Sequence, residues 1–204
     1  MSKVKKIPLE GEKAHSEMAP ESRKEKLSET EINRKKPMEA GVMALFYPNK
    51  DNETMLILIL RKTYKGVHSG QIGFPGGRVE RRDTDLEDTA LRETYEEIGV
   101  RGSNVNVIKK LTKIYIPPSN FWVHPYLGYT KNPPKFRRQE SEVEELLQIK
   151  LEDFLNDDNV FTATLSTSKT KNISVPAFDL NDQTVWGATA MMLNEVKSLL
   201  LKAL

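Results

Sequence analysis

Residues 74–100, FPGGRVERRDTDLEDTALRETYEEIGV, constrain the fold more than any other stretch of this chain. The proline and paired glycines at its start interrupt regular structure and allow another group to approach the backbone closely. Thr84 and Glu87 have the spacing of a capping box, which predicts a helix over about 85–98. Gly99 is expected to end that helix in a left-handed conformation. The stretch is therefore predicted to form a loop, a helix and a second loop.

Three carboxylates share one face of this predicted helix. Glu93, Glu96 and Glu97 recur at i, i+3 and i+4, and Arg92 lies one turn before Glu96, where it can hold that side chain. Like charges one turn apart oppose helix formation by about 0.2–0.5 kcal/mol per pair, so their grouping beside the glycines favours neutralisation by a divalent cation. The pattern predicts metal-assisted attack of water on a phosphoryl centre. The alternative is an ordinary solvated acidic face.

Another stripe of the same helix is apolar. Leu91, Tyr95 and Ile98 recur at i, i+4 and i+7, which is the spacing of side chains that share one helix face. We therefore expect these three side chains to dock the helix on a hydrophobic core.

The order of these features resembles the Nudix box of the Nudix hydrolases, G-x5-E-x7-R-E-U-x-E-E-x-G-U, in which U is aliphatic. The segment RETYEEIGV fits its second half, except at Thr94, where an aliphatic residue is usual. Asp83 stands where the early glutamate belongs, and one extra residue precedes Arg92. This spacing resembles the coenzyme A pyrophosphatase-like branch of the family.

The residues before the box strengthen this resemblance. The branch carries a pattern close to LLTxRSx3Rx3Gx3FPGG, and this chain has ILILRKTYKGVHSGQIGFPGG. Lys62 replaces the serine and Gly66 replaces the second arginine. The resemblance extends to the segments WVHPYLGY and VWGATAMML, and so covers most of residues 38–204. The positions that match imply substrate contacts at Arg61, Gly70, Phe74, Gly76 and Gly77.

The resemblance also implies how the site works. The glycine loop turns a carbonyl toward one or more Mg²⁺ or Mn²⁺ ions, and an acidic residue from the later segment QESEVEE completes the metal shell or acts as the base. Arg92 is expected to orient its neighbours. The implied metal ligands are Gly77, Glu93, Glu96, Glu97 and Glu140, and the implied catalytic residues are Glu93, Glu96, Glu97, Arg92 and Glu142. Which glutamate takes the proton stays open at this point.

The implied substrate is a nucleoside diphosphate linked to another group, with coenzyme A or a derivative first. ADP-ribose-type diphosphates and oxidised nucleoside triphosphates are the alternatives within the enzyme class. A nucleotide-binding sensor without catalysis is the alternative outside it, and the intact box glutamates disfavour that role. Homodimers are common in the family, so a homodimer is possible.

Composition excludes several other classes. The chain has no cysteine, which excludes disulfides and a cysteine nucleophile and is compatible with a cytoplasmic location. Its net charge of +2 gives no reason to expect nucleic acid or an anionic membrane as a partner. No apolar run approaches the roughly 20 residues that span a bilayer.

The rest of the chain predicts a charged N-terminal extension over 1–37 and a hydrolase domain over 38–204. The expected fold class is α/β, and the resemblance implies an α/β/α sandwich around a mixed sheet. Strands are predicted at 39–48, 54–61, 105–116 with a break, 121–130, 160–167 and 172–180, with helices at 151–156 and 187–203. Pro125 argues for an edge strand or a bulge. Lys62, Lys65 and His68 are possible phosphate contacts, and His124 is a possible general base, each with a plain structural role as the alternative.

Overall fold

The computed structural model describes residues 2–23, 27–63, 70–165 and 172–204. The helices are α1 Ser2–Lys6, α2 Glu12–Glu17, α3 Glu29–Arg34, α4 Leu86–Ile98, α5 Leu151–Leu155 and α6 Gly187–Leu201. The strands are β1 Met38–Pro48, β2 Thr54–Arg61, β3 Ile72–Gly73, β4 Gly76–Arg78, β5 Val105–Lys110, β6 Ile114–Ile116, β7 Phe121–Thr130, β8 Val143–Lys150, β9 Val160–Leu165, β10 Ile173–Leu180 and β11 Gln183–Trp186.

The larger sheet is mixed, as predicted. Its strands follow the order β3-β2-β1-β7-β5, with β4 also paired to β1, β6 to β7 and β8 to β2. Strands β1 and β7 run parallel, whereas the other pairs are antiparallel. Strands β9, β10 and β11 form a separate antiparallel sheet.

Alternating side chains of β1 build one hydrophobic cluster on each face of the larger sheet. Met43, Leu45 and Tyr47 pack with residues of α4 on one face. Val42, Ala44 and Phe46 pack with residues of α5 and α6 on the other. Because helices cover both faces, the fold is the α/β/α sandwich that the resemblance implies.

Helix α4 begins and ends close to the predicted residues, but its N-terminal cap differs. Asp85, not Thr84, is the N-cap, and its side chain accepts a hydrogen bond from the Asp88 backbone N–H. The backbone N–H of Thr84 donates to the Asp88 carboxylate instead. Gly99 ends the helix at φ 78°, in the left-handed conformation that was predicted.

The apolar stripe predicted on α4 is only partly correct. Ile98 is fully buried, whereas Tyr95 is 40% exposed and Leu91 half-buried. The buried face instead contains Ala90, Thr94 and Glu97. The backbones of α4 and β1 approach closely, which favours small side chains on the buried face of the helix. The spacing of large apolar residues in the sequence does not reveal this approach.

Strand β8 is absent from the sequence prediction, which treated its first residues only as an acidic loop. It pairs antiparallel with β2 along most of its length. Val143, Leu147 and Ile149 are buried, while Glu144 and Glu145 are exposed. The adjacent glutamates hide the alternating apolar pattern that a strand with one buried face normally shows.

Pro125 does not mark an edge strand, because β7 lies between β1 and β5. Lys110 of β5 pairs with Tyr126, and Ile114 of β6 pairs with Val123. Pro125 therefore lies opposite the gap between β5 and β6. A residue without an N–H is tolerated there, because that position needs no ladder donor toward this side.

The described part of the N-terminal extension is locally helical and packs against the sheet. Val4, Met18 and Ala19 are buried in the cluster that contains α6. The boundary at residue 37 remains a prediction. Within the ranges given above, none of the helices has the length and hydropathy that crossing a bilayer would require.

Candidate active site

The site depends on an unusually close contact between α4 and β1. A Cβ atom at Gly41 would lie 2.3 Å from the Leu86 carbonyl oxygen and 2.9 Å from the Ala90 nitrogen. Only a residue without a side chain fits between these two backbones. The contact brings the face of α4 that carries Glu97 against β4, because Gly41 also pairs with Gly77.

Glu97 is buried at the junction of α4, β2 and β4, with 1% of its surface exposed. Its Oε2 accepts a 2.7 Å hydrogen bond from the Gly76 backbone N–H. Its Oε1 lies 3.2 Å from Nη1 of Arg61. Burial raises the pKa of Glu97 to about 7 against the opposing effects of Arg61 and the Gly76 N–H, and the charges of Glu93 and Glu142 raise it further.

Arg61, the last residue of β2, joins the glycine loop to the helix. Its Nη2 donates a 2.7 Å hydrogen bond to the Gly76 carbonyl oxygen, while its Nη1 contacts Glu97. The guanidinium therefore lies between two oxygen acceptors that come from different elements. The carbonyl that the structure groups with Glu97 is that of Gly76, whereas the sequence assigned this role to Gly77.

Gly77 lies directly against the Glu93 carboxylate. A Cβ atom at Gly77 would lie 2.5 Å from Cδ of Glu93, so any side chain there would collide with the carboxylate. Oε1 of Glu93 is 2.7 Å from Nη1 of Arg92. Burial raises the pKa of Glu93, Arg92 opposes this shift, and the charges of Glu96 and Glu142 add to it.

Arg92 contacts Glu96, as the helix spacing predicts, and Asp83 fixes Arg92 in place. Nε and Nη2 of Arg92 donate to the two oxygens of Asp83 at 2.7 and 2.9 Å. Nη1 then contacts Glu93, as above, and also Glu96 at 3.0 Å. Hydrogen bonds from Arg92 hold the pKa of Asp83 well below its usual range, and those to Asp83 raise the pKa of Arg92.

Glu96 lies nearer to solvent than the other two glutamates, with 40% of its side chain exposed. Besides Arg92, Arg82 contacts it, with a distance of 2.7 Å from Nη2 to Oε1. Sequence reasoning missed Arg82, because it comes from the loop before the helix and no regular spacing connects the two residues.

The segment after β7 is anchored to the C-terminal end of α4. The backbone N–H groups of Arg137 and Gln139 donate to the carbonyls of Ile98 and Glu97, each at 2.9 Å. These bonds satisfy carbonyls that a helix end leaves unpaired. Glu142 follows on this anchored loop, and its charge acts on both Glu93 and Glu97. Glu140 is exposed on the same loop.

The donor set suits a hard divalent cation in its chemistry, although its carboxylates are turned toward arginines. Within residues 2–23, 27–63, 70–165 and 172–204, no group of three or more His, Asp or Glu side chains is close enough to hold a metal ion. The raised pKa of Glu93 and of Glu97 nevertheless reflects mutual repulsion among these carboxylates as well as burial. A divalent cation would relieve that repulsion, so these residues fit such an ion if the arginine contacts rearrange.

Several other predicted site residues lie away from this centre or outside the described ranges. Phe74 is 2% exposed and packs in the main core, so its side chain leaves little surface for the predicted substrate contact. Gly70 adopts φ +64°, and its N–H reaches the Lys62 carbonyl at 3.4 Å. His124 lies 2.5 Å from Glu39, which favours its structural alternative. Lys65, Gly66 and His68 lie outside the described residues.

This chain is similar to known proteins in its sequence and in its fold. A family model described as the NUDIX domain matches residues 37–166. Nudix hydrolase 15 of Arabidopsis thaliana, a mitochondrial protein, is 32% identical over 167 residues, 79% of this chain and 58% of that protein. The peroxisomal coenzyme A diphosphatase of Caenorhabditis elegans is 28% identical over 167 residues, 81% of this chain and 70% of that protein. This chain thus spans little more than half the length of the plant relative.

One solved structure supports the fold. The Nudix hydrolase RenU of Mycobacterium smegmatis aligns with a TM-score of 0.56 over 81% of this chain and 87% of that one. At 14% identity, this similarity concerns the architecture alone.

Proposed function

Because this chain belongs to the Nudix hydrolase family, we propose that it hydrolyses the diphosphate linkage of a nucleoside diphosphate derivative, with coenzyme A or a close derivative as the substrate. The observation that carries the proposal is the junction at Glu97, where this buried carboxylate and the Gly76 carbonyl share the guanidinium of Arg61. On the same helix, Glu93 lies against Gly77 and contacts Arg92. Ordinary solvated acidic faces are not buried against a glycine loop in this way.

Members of this family generally use divalent metal ions, and we propose Mg²⁺ or Mn²⁺ here. Glu93, Glu96, Glu97 and the Gly76 carbonyl would hold the ion. When bound, it would supply charge stabilisation at the phosphoryl oxygens and favour loss of a proton from the attacking water.

The residues of this chain would position the reaction. Arg92, fixed by Asp83, holds Glu93 and Glu96 at defined orientations. Glu142, on the loop anchored to the end of α4, is the proposed base that takes the proton of the attacking water. Water adds to one phosphorus, the bridging P–O–P bond breaks, and two phosphorylated products leave without a covalent intermediate on the protein.

Two features support coenzyme A over the alternatives. The segment from Arg61 to Gly77 matches part of the pattern of the coenzyme A branch, and a relative named as a coenzyme A diphosphatase is similar over 81% of this chain. ADP-ribose-type diphosphates and oxidised nucleoside triphosphates are the competing substrates.

The test is a substrate panel with two variants. Purified protein is incubated with coenzyme A, ADP-ribose and oxidised nucleoside triphosphates in the presence of Mg²⁺ or Mn²⁺, and the products are resolved. Coenzyme A should give two phosphorylated products. Glu97→Gln should lower turnover by roughly a hundredfold or more while nucleotide binding partly survives. Glu142→Gln should lower turnover but leave Mn²⁺ binding intact.

Glu87→Gln is the matched control, because it makes the same change about 15 Å away along α4. Turnover of nucleoside triphosphates alone would contradict the coenzyme A assignment. Equal behaviour of the wild-type protein and Glu97→Gln, with nucleotide binding in both, would instead identify a catalytically silent sensor.

A further inference from the structure

The guanidinium of Arg61 bridges the two oxygen acceptors that a cation at this site would share. Its Nη2 lies 2.7 Å from the Gly76 carbonyl oxygen and its Nη1 lies 3.2 Å from Glu97 Oε1. The second carboxylate oxygen of Glu97 is fixed by the Gly76 N–H at 2.7 Å, so the carboxylate cannot easily rotate away. A cation that takes the position between Glu97 Oε1 and the Gly76 carbonyl must therefore replace the guanidinium of Arg61.

The position of the Arg61 side chain allows a cation to displace it. Its side chain is 26% exposed, whereas that of Glu97 is 2% exposed. The arginine thus reaches the buried carboxylate from the solvent side and has a path along which to leave. Without a positive charge there, Glu97 would be a buried anion next to two other carboxylates, which is strongly unfavourable.

We propose that Arg61 is a cation placeholder: it neutralises Glu97 and satisfies the Gly76 carbonyl in the metal-free protein, and it leaves when a divalent cation binds. The proposal rests on the proposed function, because it takes the cation site of that function as its premise. After displacement, the guanidinium is free to contact the phosphates of an anionic substrate.

Competition between Arg61 and a cation predicts the direction in which cation affinity changes when Arg61 is removed. A ligand that must first displace an internal contact binds more weakly, by the fraction of molecules in which that contact is open. Removing Arg61 should therefore tighten cation binding and weaken the metal-free fold. Removing an arginine with a purely structural role would change cation affinity only through the loss of its long-range charge.

The first test measures Mn²⁺ affinity calorimetrically on the full chain without substrate. Arg61→Gln should bind Mn²⁺ about tenfold more tightly than the wild-type protein, the equivalent of one charge-assisted hydrogen bond. It should also unfold at lower temperature without metal and gain more from added Mn²⁺. Lys62→Gln is the matched control, because it removes the same charge one residue further along. The Lys62→Gln variant measures how much of the change in Mn²⁺ affinity comes from long-range electrostatics.

The second test follows Arg61 itself in the wild-type protein. The side-chain ¹⁵N–¹H signal of Arg61, assigned with Arg61→Lys, should move on Mg²⁺ titration to the position of a freely rotating guanidinium. This measurement does not depend on the folding of Arg61→Gln. An unchanged signal at saturating Mg²⁺ would overturn the proposal.

The outcomes separate this proposal from the one it rests on. If the wild-type protein binds neither ion, the metal requirement of the proposed function fails and the placeholder role fails with it. If the wild-type protein binds the ion but Arg61→Gln binds it no more tightly than Lys62→Gln, only the placeholder role is overturned, and the hydrolase proposal stands.

Discussion

Asp83 shows how one residue outside the helix organises the acidic face upon it. Its side chain is 1% exposed and grips Arg92 with both oxygens, while Thr89 donates a further 2.9 Å hydrogen bond to it. Arg92 can then reach Glu93 and Glu96 together. Asp83 therefore acts on both glutamates through Arg92.

Asp83→Asn tests this role by removing the charge and keeping the shape. We expect it to lower the free energy of unfolding at neutral pH by about 1–3 kcal/mol, because a buried charge-assisted pair is lost. Turnover should fall by about 10–100-fold, as for other residues that orient metal ligands. Urea unfolding and steady-state kinetics measure the two effects, and the exposed Asp51→Asn serves as the control.

The same variant gives a test in pH. The pKa of Asp83 in the folded protein lies below its ordinary value of 3.8, so its stabilising contribution is present above that value and is lost as pH falls through and below it. The unfolding free energy of the wild-type protein should therefore decline more steeply than that of Asp83→Asn from about pH 5 to about pH 3. Parallel curves would contradict the strong ion pair.

At the scale of single residues, the sequence predicts those contacts that depend on local spacing along the helix. The cluster of Glu93, Glu96 and Glu97 and the contact from Arg92 to Glu96 follow from the helix period alone. The burial of Phe74 and the contact of Arg61 with Glu97 do not, because both depend on how distant elements pack.

Strand β1 is the element that positions the site, because it contacts α4, β4 and β7 together. Gly41 pairs with Gly77 on one side and with His124 on the other. Because Gly41 has no side chain, α4 can approach β1 closely, and this approach determines how far Glu97 is buried.

Gly41→Ala should separate α4 from β1. The added methyl would overlap backbone atoms at 2.3 and 2.9 Å, which cannot yield as a flexible side chain would. We expect a loss of about 1–3 kcal/mol or more of unfolding free energy, measured by urea denaturation. Gly73→Ala is the control, because its nearest neighbours would lie 3.9 and 4.0 Å away. Equal stability of the two variants would show that the close approach is not essential.

Elements with a continuous apolar run or clear end signals were predictable, and β1, β2 and α4 lie near their expected ranges. Strand β8 was not, because Glu144 and Glu145 interrupt its pattern and pairing with β2 compensates. The buried face of α4 was also misjudged. The size of the side chains on a helix predicts which face is buried only when the opposing surface is known. Here that surface is β1, which carries Gly41 at the contact.

Across the whole molecule, the N-terminal segment is tied to the last helix through Glu195. This carboxylate is 1% exposed and accepts hydrogen bonds from the N–H groups of Gly11 and Thr112 at 3.1 and 3.0 Å. Burial would raise its pKa, but the nearby His15 and the hydrogen bonds from Thr112 outweigh it and lower the pKa of Glu195. One residue of α6 thus joins the segment before α2 to the turn between β5 and β6.

Glu195→Gln should loosen this connection. Gln has a single acceptor oxygen, so donors near Glu195 lose a partner at a cost of about 1–3 kcal/mol in unfolding free energy. Trypsin should also cleave faster after Lys13, whose side chain is 73% exposed. Urea unfolding and a digestion time course measure these effects. The exposed Glu152→Gln is the control, and unchanged cleavage would mean that other contacts hold the segment.

The loop between β4 and α4 separates two parts of the site that are fixed independently. Gly76 and Gly77 belong to a strand paired with β1, and the glutamates belong to a helix seated on the same strand. The loop itself adds a third point of attachment, because Asp83 holds Arg92 and Arg82 contacts Glu96. The additional residue between Asp83 and Arg92 therefore leaves their ion pair intact, and the turn that enters the helix absorbs the difference in length.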